Sequence, residues 1–280
     1  MCGPFKGIHG ILRLLEIIFS TLALIIVLFR GWMVSPWGVW CEFVWFFCIT
    51  VAVVLTVMEA MSWNVLLAAF LPDWADLTCG LTTVCAVTII SATIIFGIVF
   101  ICSTCFGNIL CLIFSLVATI VFVVDAVLRL MKLPKGYMCS IRGCLRMSEA
   151  FVACIIITAT IDHLVMAEWH FRPFALILCV LLFLGCLLVT VAIIVLNLLS
   201  LLQCLLSFAL KLMEFVFNIV AVLSYLLAII LWCVFAYIHN GYSPYICHSC
   251  YYADVHTVAI GAILNLILYA IDLILTFKAR

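Results

Sequence analysis

The chain has 280 residues, of which 70% are hydrophobic and only 9% are charged. Because a soluble domain usually carries about a quarter charged residues, this composition excludes a soluble globular protein. The formal net charge is zero, so binding of nucleic acid or of acidic substrates by the molecule as a whole has no support.

Long apolar runs follow one another along the whole chain, and each is close to the ~20 residues that a helix needs to cross a bilayer. We predict an all-α integral membrane protein with eight transmembrane helices, in which the prolines lie outside the spans or at their edges. The predicted spans are 11–29, 43–59, 77–101, 109–131, 149–166, 174–196, 215–237 and 257–277.

The segment between the first two predicted spans is rich in tryptophan, with Trp32, Trp37, Trp40 and Trp45. An indole ring is apolar but its N–H needs a partner, so tryptophan concentrates at the level of the lipid headgroups. We therefore predict an interfacial belt here.

Most of the seventeen cysteines lie inside apolar runs, where cysteine behaves as a small hydrophobic residue. Two CxxC pairs are different, because Cys102 with Cys105 and Cys247 with Cys250 follow spans 3 and 7. The topology argued below places both pairs outside the cytosol, where disulfides persist. We prefer a disulfide within one or both pairs, with free thiols or a shared four-cysteine zinc site as alternatives. No cofactor and no catalytic constellation is predicted.

Charged residues inside a membrane mark functional sites by default, and Asp125 and Asp272 lie near the inner ends of spans 4 and 8. Arg129 follows Asp125 by four residues on the same helix face, and Arg13 or Arg146 could reach across from a neighbouring span. We therefore favour structural ion pairs over a proton or ion path. The carboxylates of Glu16 and Glu149 are expected at helix starts, where the helix dipole favours them, and Asn197, Asn218 and Asn265 are expected to hydrogen-bond between helices.

The polar stretch from Leu130 to Glu149 determines the predicted orientation. Ten of the twelve Lys and Arg residues fall on one side of the predicted topology, which indicates that both termini are cytoplasmic. Orientation alone explains these charges, but they could also bind anionic lipid headgroups at about 1 kcal/mol each. The candidate headgroup contacts are Arg129, Lys132, Lys135, Arg142 and Arg146, and the candidate palmitoylation sites are Cys2, Cys139 and Cys144.

Several landmarks occur twice in the same order, which indicates an internal repeat. The sequence LRLLE at residues 12–16 returns as LRMSE at 145–149, CSTC returns as CHSC, and Asp125 is matched by Asp272. We predict two tandem four-helix units, residues 1–135 and 136–280.

Two segments, EAFVACII from Glu149 and the last span ILNLILYAIDLIL, resemble the myeloid-associated differentiation marker family. The resemblance implies two tandem MARVEL domains and a non-enzymatic role in organising lipid-raft, junction or vesicle membranes, with effects on cell spreading or barrier behaviour. It also implies a plasma or vesicle membrane location and membrane lipids, including cholesterol, as partners, besides homo-oligomers or other membrane proteins. The alternative is a small-solute or ion transporter with Asp125 and Asp272 as its charged centre.

Overall fold

The structure is a computed structural model that describes residues 7–31, 33, 35–63, 74–102, 105–132, 136–166, 174–198, 200–238 and 248–278. At residues 166, 200–211, 238 and 248–251 it describes the backbone alone. These ranges consist of helices and short connections and contain no strand.

Within the described ranges, eight helices are long and apolar enough to cross a membrane, which confirms the predicted all-α integral membrane protein with eight spans. Their interiors are unbroken because each apolar run satisfies its own backbone hydrogen bonds. The helices are α1 (Ile8–Arg30), α2 (Pro36–Ala60), α3 (Trp74–Val99), α4 (Phe106–Leu130), α5 (Ile141–Met166), α6 (Phe174–Leu198), α7 (Ser200–Trp232), which continues as a π-helical turn over Cys233–Ile238, and α8 (His248–Lys278).

Four helices, α2, α5, α7 and α8, begin seven or more residues before their predicted spans. Helix α2 begins at Pro36 instead of residue 43, because the Ser35 hydroxyl accepts a hydrogen bond from the backbone N–H of Gly38 at 3.2 Å and proline suits the first helical position. Helix α5 begins at Ile141 instead of residue 149, so it includes two arginines that were expected in a loop. A hydropathy pattern marks where a helix is apolar and not where it starts.

The prediction of an interfacial belt is wrong for two of the four tryptophans. Trp40 and Trp45 lie within α2 with exposed fractions of 7% and 0%. The indole N–H of Trp45 donates to the Ser115 hydroxyl at 3.0 Å, and that of Trp40 donates to the Ser91 hydroxyl at 3.3 Å. Each indole therefore satisfies its N–H inside the protein rather than at the headgroups. Trp32 lies outside the described residues.

The helices form two compact units, Met1–Ser140 and Ile141–Arg280. In the first unit α1 contacts α2 and α4, and α3 contacts the same two helices, so that the four helices form a closed ring. In the second unit α5 and α7 each contact α6 and α8 in the same way. The boundary lies five residues beyond the predicted one. That each unit is a MARVEL domain stays a prediction.

Small side chains line the helix contacts of the first unit, as is usual where lipid-embedded helices approach closely. The buried thiols of Cys41 and Cys111 lie 3.5 Å from the carbonyl oxygens of Ala92 and Ala23 on neighbouring helices. Large apolar side chains such as Ile98, 77% exposed, point away from the contacts. The polar groups of the unit are thus turned inward and its apolar surface is turned outward.

Helix α8 approaches α5 closely at Gly261, where an added Cβ would lie 2.8 Å from Cγ1 of Ile156. We expect Gly261→Ala to lower the free energy of unfolding by about 1–3 kcal/mol, because the two helices must separate or repack. Gly185→Ala in α6 is the matched control, since nothing lies within 4 Å of its added Cβ. Thermal unfolding in detergent measures both variants, and equal loss of stability would contradict this packing.

Candidate functional site: two buried ionic clusters

One end of the second unit, where α5 begins and α8 ends, holds charged side chains that are almost fully buried. Arg146 and Glu149 lie on α5 and Asp272 lies on α8, with exposed fractions of 2%, 0% and 2%. Burying ions costs several kcal/mol each unless partners satisfy them, so their contacts decide whether the helices can pack. We call Arg146, Glu149, Asp272, Asn218 and Thr276 the second cluster.

The guanidinium of Arg146 connects three helices of this unit. Its Nη1 donates to Oε2 of Glu149 at 3.0 Å, and its Nη2 lies 2.7 Å both from Oδ2 of Asp272 and from Oδ1 of Asn218. Asn218 on α7 in turn donates from Nδ2 to Oδ2 of Asp272 at 2.8 Å. The guanidinium also lies 5.6 Å from the ring centre of Phe217. The planar donor fork of arginine suits this arrangement, because several N–H groups can be satisfied at once.

A neutral hydrogen-bond network continues from the second cluster into the middle of the unit. Asn265 on α8 donates to the Tyr225 hydroxyl at 2.7 Å and to the backbone carbonyl of Glu149 at 3.2 Å. The hydroxyls of Tyr269 and Thr190 are 2.7 Å apart. Asn218 and Asn265 thus join helices as the sequence predicts, and together with the tyrosines they fix how the helices are rotated.

The first unit has a corresponding cluster at the end where α1 begins and α4 ends. Asp125, 0% exposed, accepts a hydrogen bond on Oδ2 from Nε of Arg129 at 2.7 Å, and its Oδ1 lies 2.6 Å from Nδ1 of His9. Arg13 on α1 lies 2.6 Å from Oε2 of Glu59 at the end of α2. We call these residues, with Glu16, the first cluster. The predicted pairing of Asp125 with Arg129 is present in this geometry.

The helix dipole does not explain Glu16 and Glu149. Both residues lie two turns inside their helices, and the first turns of α1 and α5 contain no acidic residue. Because the dipole effect falls off within the first turn, the expectation that they lie at helix starts is wrong. Glu149 is instead bonded to Arg146 through Oε2, and Oε1 of both Glu16 and Glu149 is buried without a hydrogen-bond partner.

The predicted lipid headgroup contacts separate into two kinds. The prediction of a headgroup contact is wrong for Arg146, because its buried guanidinium is bonded inside the second unit and cannot reach a headgroup. The Arg129 side chain is only 12% exposed and is bonded to Asp125. Lys132 is exposed, with Nζ 2.8 Å from Nε2 of His9, and Arg142 has a 30% exposed side chain. Lys135 lies outside the described residues.

Asp76 was missed by the sequence reading. Its carboxylate accepts hydrogen bonds from the backbone N–H groups of Met138, at 2.8 Å, and Cys139, at 2.9 Å, and so fastens the segment after α4 to the start of α3. Burial, followed by a hydrogen bond with Cys79, raises the pKa of the Cys139 thiol. A thiol with a raised pKa is a weaker nucleophile, which disfavours acylation there. Cys144 is exposed and Cys2 lies outside the described residues.

The first CxxC pair is a disulfide between Cys102 and Cys105 in the connection from α3 to α4. In the second pair Cys247 lies outside the described residues, and only the backbone of Cys250 is described. Within the described ranges no group of three or more His, Cys, Asp or Glu residues could hold a metal ion.

Eight apolar spans with ion pairs buried inside the helical units define a multi-pass membrane protein. The chain is 26% identical to myeloid-associated differentiation marker-like protein 2 of Xenopus laevis, over 97% of this chain and 92% of that protein. It is 28% identical to the human protein of the same name, over 97% and 91%, and 26% identical to the Xenopus laevis myeloid-associated differentiation marker homolog, over 98% and 93%. The resemblance seen in the sequence is confirmed, and the chain is a homologue of the myeloid-associated differentiation marker proteins over nearly its full length. No model of a protein family and no solved structure matches it.

Removal of the Arg146 guanidinium should destabilise the second unit. We expect Arg146→Met to lower the free energy of unfolding by about 3–5 kcal/mol, because Asp272 would remain buried without its cation. Arg142→Met is the matched control on the same helix. Its guanidinium lies 3.8 Å from Oε2 of Glu214 and is partly solvated, so the expected loss is about 1 kcal/mol or less. Unfolding in detergent measures both, and similar losses would contradict the assigned role.

Proposed function

We propose that this protein is a non-enzymatic organiser of membrane domains, which acts through its lateral contacts with lipids and other membrane proteins. The single observation that carries the proposal is that the intramembrane aspartates are bonded to arginines of their own unit. The relatives support it as well, because they are named as differentiation markers and not as enzymes.

The lipid-facing surface supplies the proposed mechanism. Side chains such as Phe29, Ile98 and Ile260 are largely exposed at 89%, 77% and 68%, and they leave an apolar surface around each unit. Such a surface interacts with acyl chains and with other apolar helices, which makes lateral sorting of lipids and proteins the natural activity. Ordered, cholesterol-containing lipid in plasma or vesicle membranes is the proposed environment.

The basic residues are proposed to orient the protein and to hold anionic headgroups. Lys132 and Arg142 are the described candidates that retain exposed cationic groups, and Lys135 joins them from the sequence. The bias of Lys and Arg supports cytoplasmic termini. In this orientation these cations would meet the anionic lipids of the cytoplasmic leaflet.

The transporter alternative has no support in the geometry of its proposed centre. A transport site needs charges that face a hydrated path. Asp125 and Asp272 are instead buried at 0% and 2% exposure, and both accept hydrogen bonds from side chains inside their units.

The proposal is tested in giant vesicles that contain cholesterol, saturated lipid and unsaturated lipid. We expect the fluorescently labelled protein to concentrate in one lipid phase or at the phase boundary and to change the temperature at which the phases mix. The same preparation, reconstituted in sealed liposomes, should give no solute or ion flux above that of protein-free liposomes. A uniform distribution without effect on mixing, or a flux that Asp125→Asn and Asp272→Asn abolish, would contradict the proposal.

The headgroup contacts have a separate test. We expect the triple variant Lys132→Gln, Lys135→Gln, Arg142→Gln to bind phosphatidylserine in nanodiscs more weakly, by roughly fivefold for each cation that contacts a headgroup, since each contributes about 1 kcal/mol. Arg30→Gln, an exposed cation at the other end of α1, is the control and should change nothing. Native mass spectrometry of bound lipid measures the difference, and unchanged binding in the triple variant would contradict these contacts.

A further inference from the structure

The second cluster contains one more carboxylate than cation among the side chains that the structure describes. Arg146 supplies one positive charge, whereas Glu149 and Asp272 together would supply two negative charges. The nearby pair of Arg142 and Glu214 is neutral as a whole and does not change this difference. An unbalanced charge this deeply buried is strongly unfavourable, so either a ligand neutralises it or one carboxyl is not ionised.

Comparison with the first cluster identifies a cation that the second cluster lacks. In the first unit Arg129 follows Asp125 by four residues and is bonded to it. In the second unit the residue four positions after Asp272 is Thr276, whose hydroxyl donates to the backbone carbonyl of Asp272 at 2.7 Å. A neutral hydroxyl thus occupies the place of the second arginine. The first cluster has two arginines, of which Arg129 is bonded to Asp125 and Arg13 is paired with the partly exposed Glu59, and the second cluster has one.

The hydrogen bonds distinguish the two carboxyl groups of the second cluster. Asp272 receives two donors on Oδ2, from Arg146 and Asn218, which favours its ionised form. Glu149 accepts a hydrogen bond from the Arg146 guanidinium on Oε2 only, and its Oε1 is buried without a hydrogen-bond partner. A buried carboxylate oxygen without a donor is far less favourable than the same oxygen in a neutral carboxyl group.

We propose that the second cluster is a proton-binding site, in which Glu149 carries the proton at neutral pH while Asp272 remains ionised against Arg146. Titratable neighbours from the other helices cannot take over the role of the missing cation, because the tyrosines and the cysteine among them are neutral or negative. Among the described side chains, the titratable and charged groups around Glu149 are Arg142 and Arg146 on α5, Cys186 on α6, Glu214 and Tyr225 on α7, and Tyr269 and Asp272 on α8.

The bound proton makes the cluster electrically neutral, with Arg146 and Asp272 as an ion pair beside an uncharged carboxyl. This goes beyond the proposed membrane role, because it assigns a ligand and an ionisation state to a position in the repeat.

Infrared spectroscopy of the protein in nanodiscs tests the proposal, because a protonated carboxyl has a C=O stretching band well separated from that of a carboxylate. At neutral pH we expect Glu149→Gln to lose one protonated-carboxyl band relative to the wild type, and this band should shift in D₂O. Glu59→Gln is the matched control in the first unit and should lose only a carboxylate band, since Glu59 is part-exposed and paired with Arg13. A wild-type spectrum without a band that Glu149→Gln removes would overturn the proposal, including the case in which sodium ions neutralise the cluster.

A second variant keeps the test independent of the removal of Glu149. Thr276→Arg restores the arginine position of the first unit, and we expect it to abolish the same band because Glu149 then ionises. Lys211 is the one cationic residue of α7, and its side chain is outside those described. If it does not neutralise the cluster, Lys211→Gln should leave the band seen in the wild type unchanged. A band that persists in Thr276→Arg, or one that grows in Lys211→Gln, would contradict the charge count. Thermal unfolding confirms that each variant is folded.

Discussion

A buried arginine that must find its counter-charges inside its own four-helix unit is the constraint on which this structure depends. In lipid an unpaired guanidinium has neither water nor counter-ions, so its helices can pack only where carboxylates and amides meet it. Arg146 contacts Glu149, Asp272 and Asn218 on three helices, and in the first unit Arg13 contacts Glu59 and Arg129 contacts Asp125. The order of helices around each ring depends on these ionic contacts as much as on apolar packing.

This arrangement explains why a chain with so few charges keeps several of them within its spans. Because these charges are grouped inside the units, each unit presents an apolar surface outward and a polar network inward. Tyr225, Asn265 and Tyr269 extend this network without adding charge. Such an interior favours a rigid body that acts through its surface, which is the property that a lateral organiser of membranes requires.

The sequence predicted what is local and missed what depends on helix rotation. The eight spans follow from hydropathy, and the pairing of Asp125 with Arg129 follows from a spacing of four residues on one helix face. The bond between Trp45 and Ser115 joins residues that are 70 positions apart, and no periodicity indicates it. The bonds of Arg146 likewise depend on which face α5 turns toward α7 and α8. Hydropathy also assigned the arginines of α5 to a loop, because a hydropathy scale takes no account of the carboxylates that the fold brings to them.

A double-mutant cycle between Arg146 and Asp272 tests the central claim most directly. The free energies of unfolding of Arg146→Met, Asp272→Asn and the double variant, measured in the same detergent, give the coupling between the two side chains. We expect a coupling of about 1–3 kcal/mol, with the double variant more stable than the sum of the single losses implies. Losses that simply add would contradict it, because the two residues would then not depend on each other for burial.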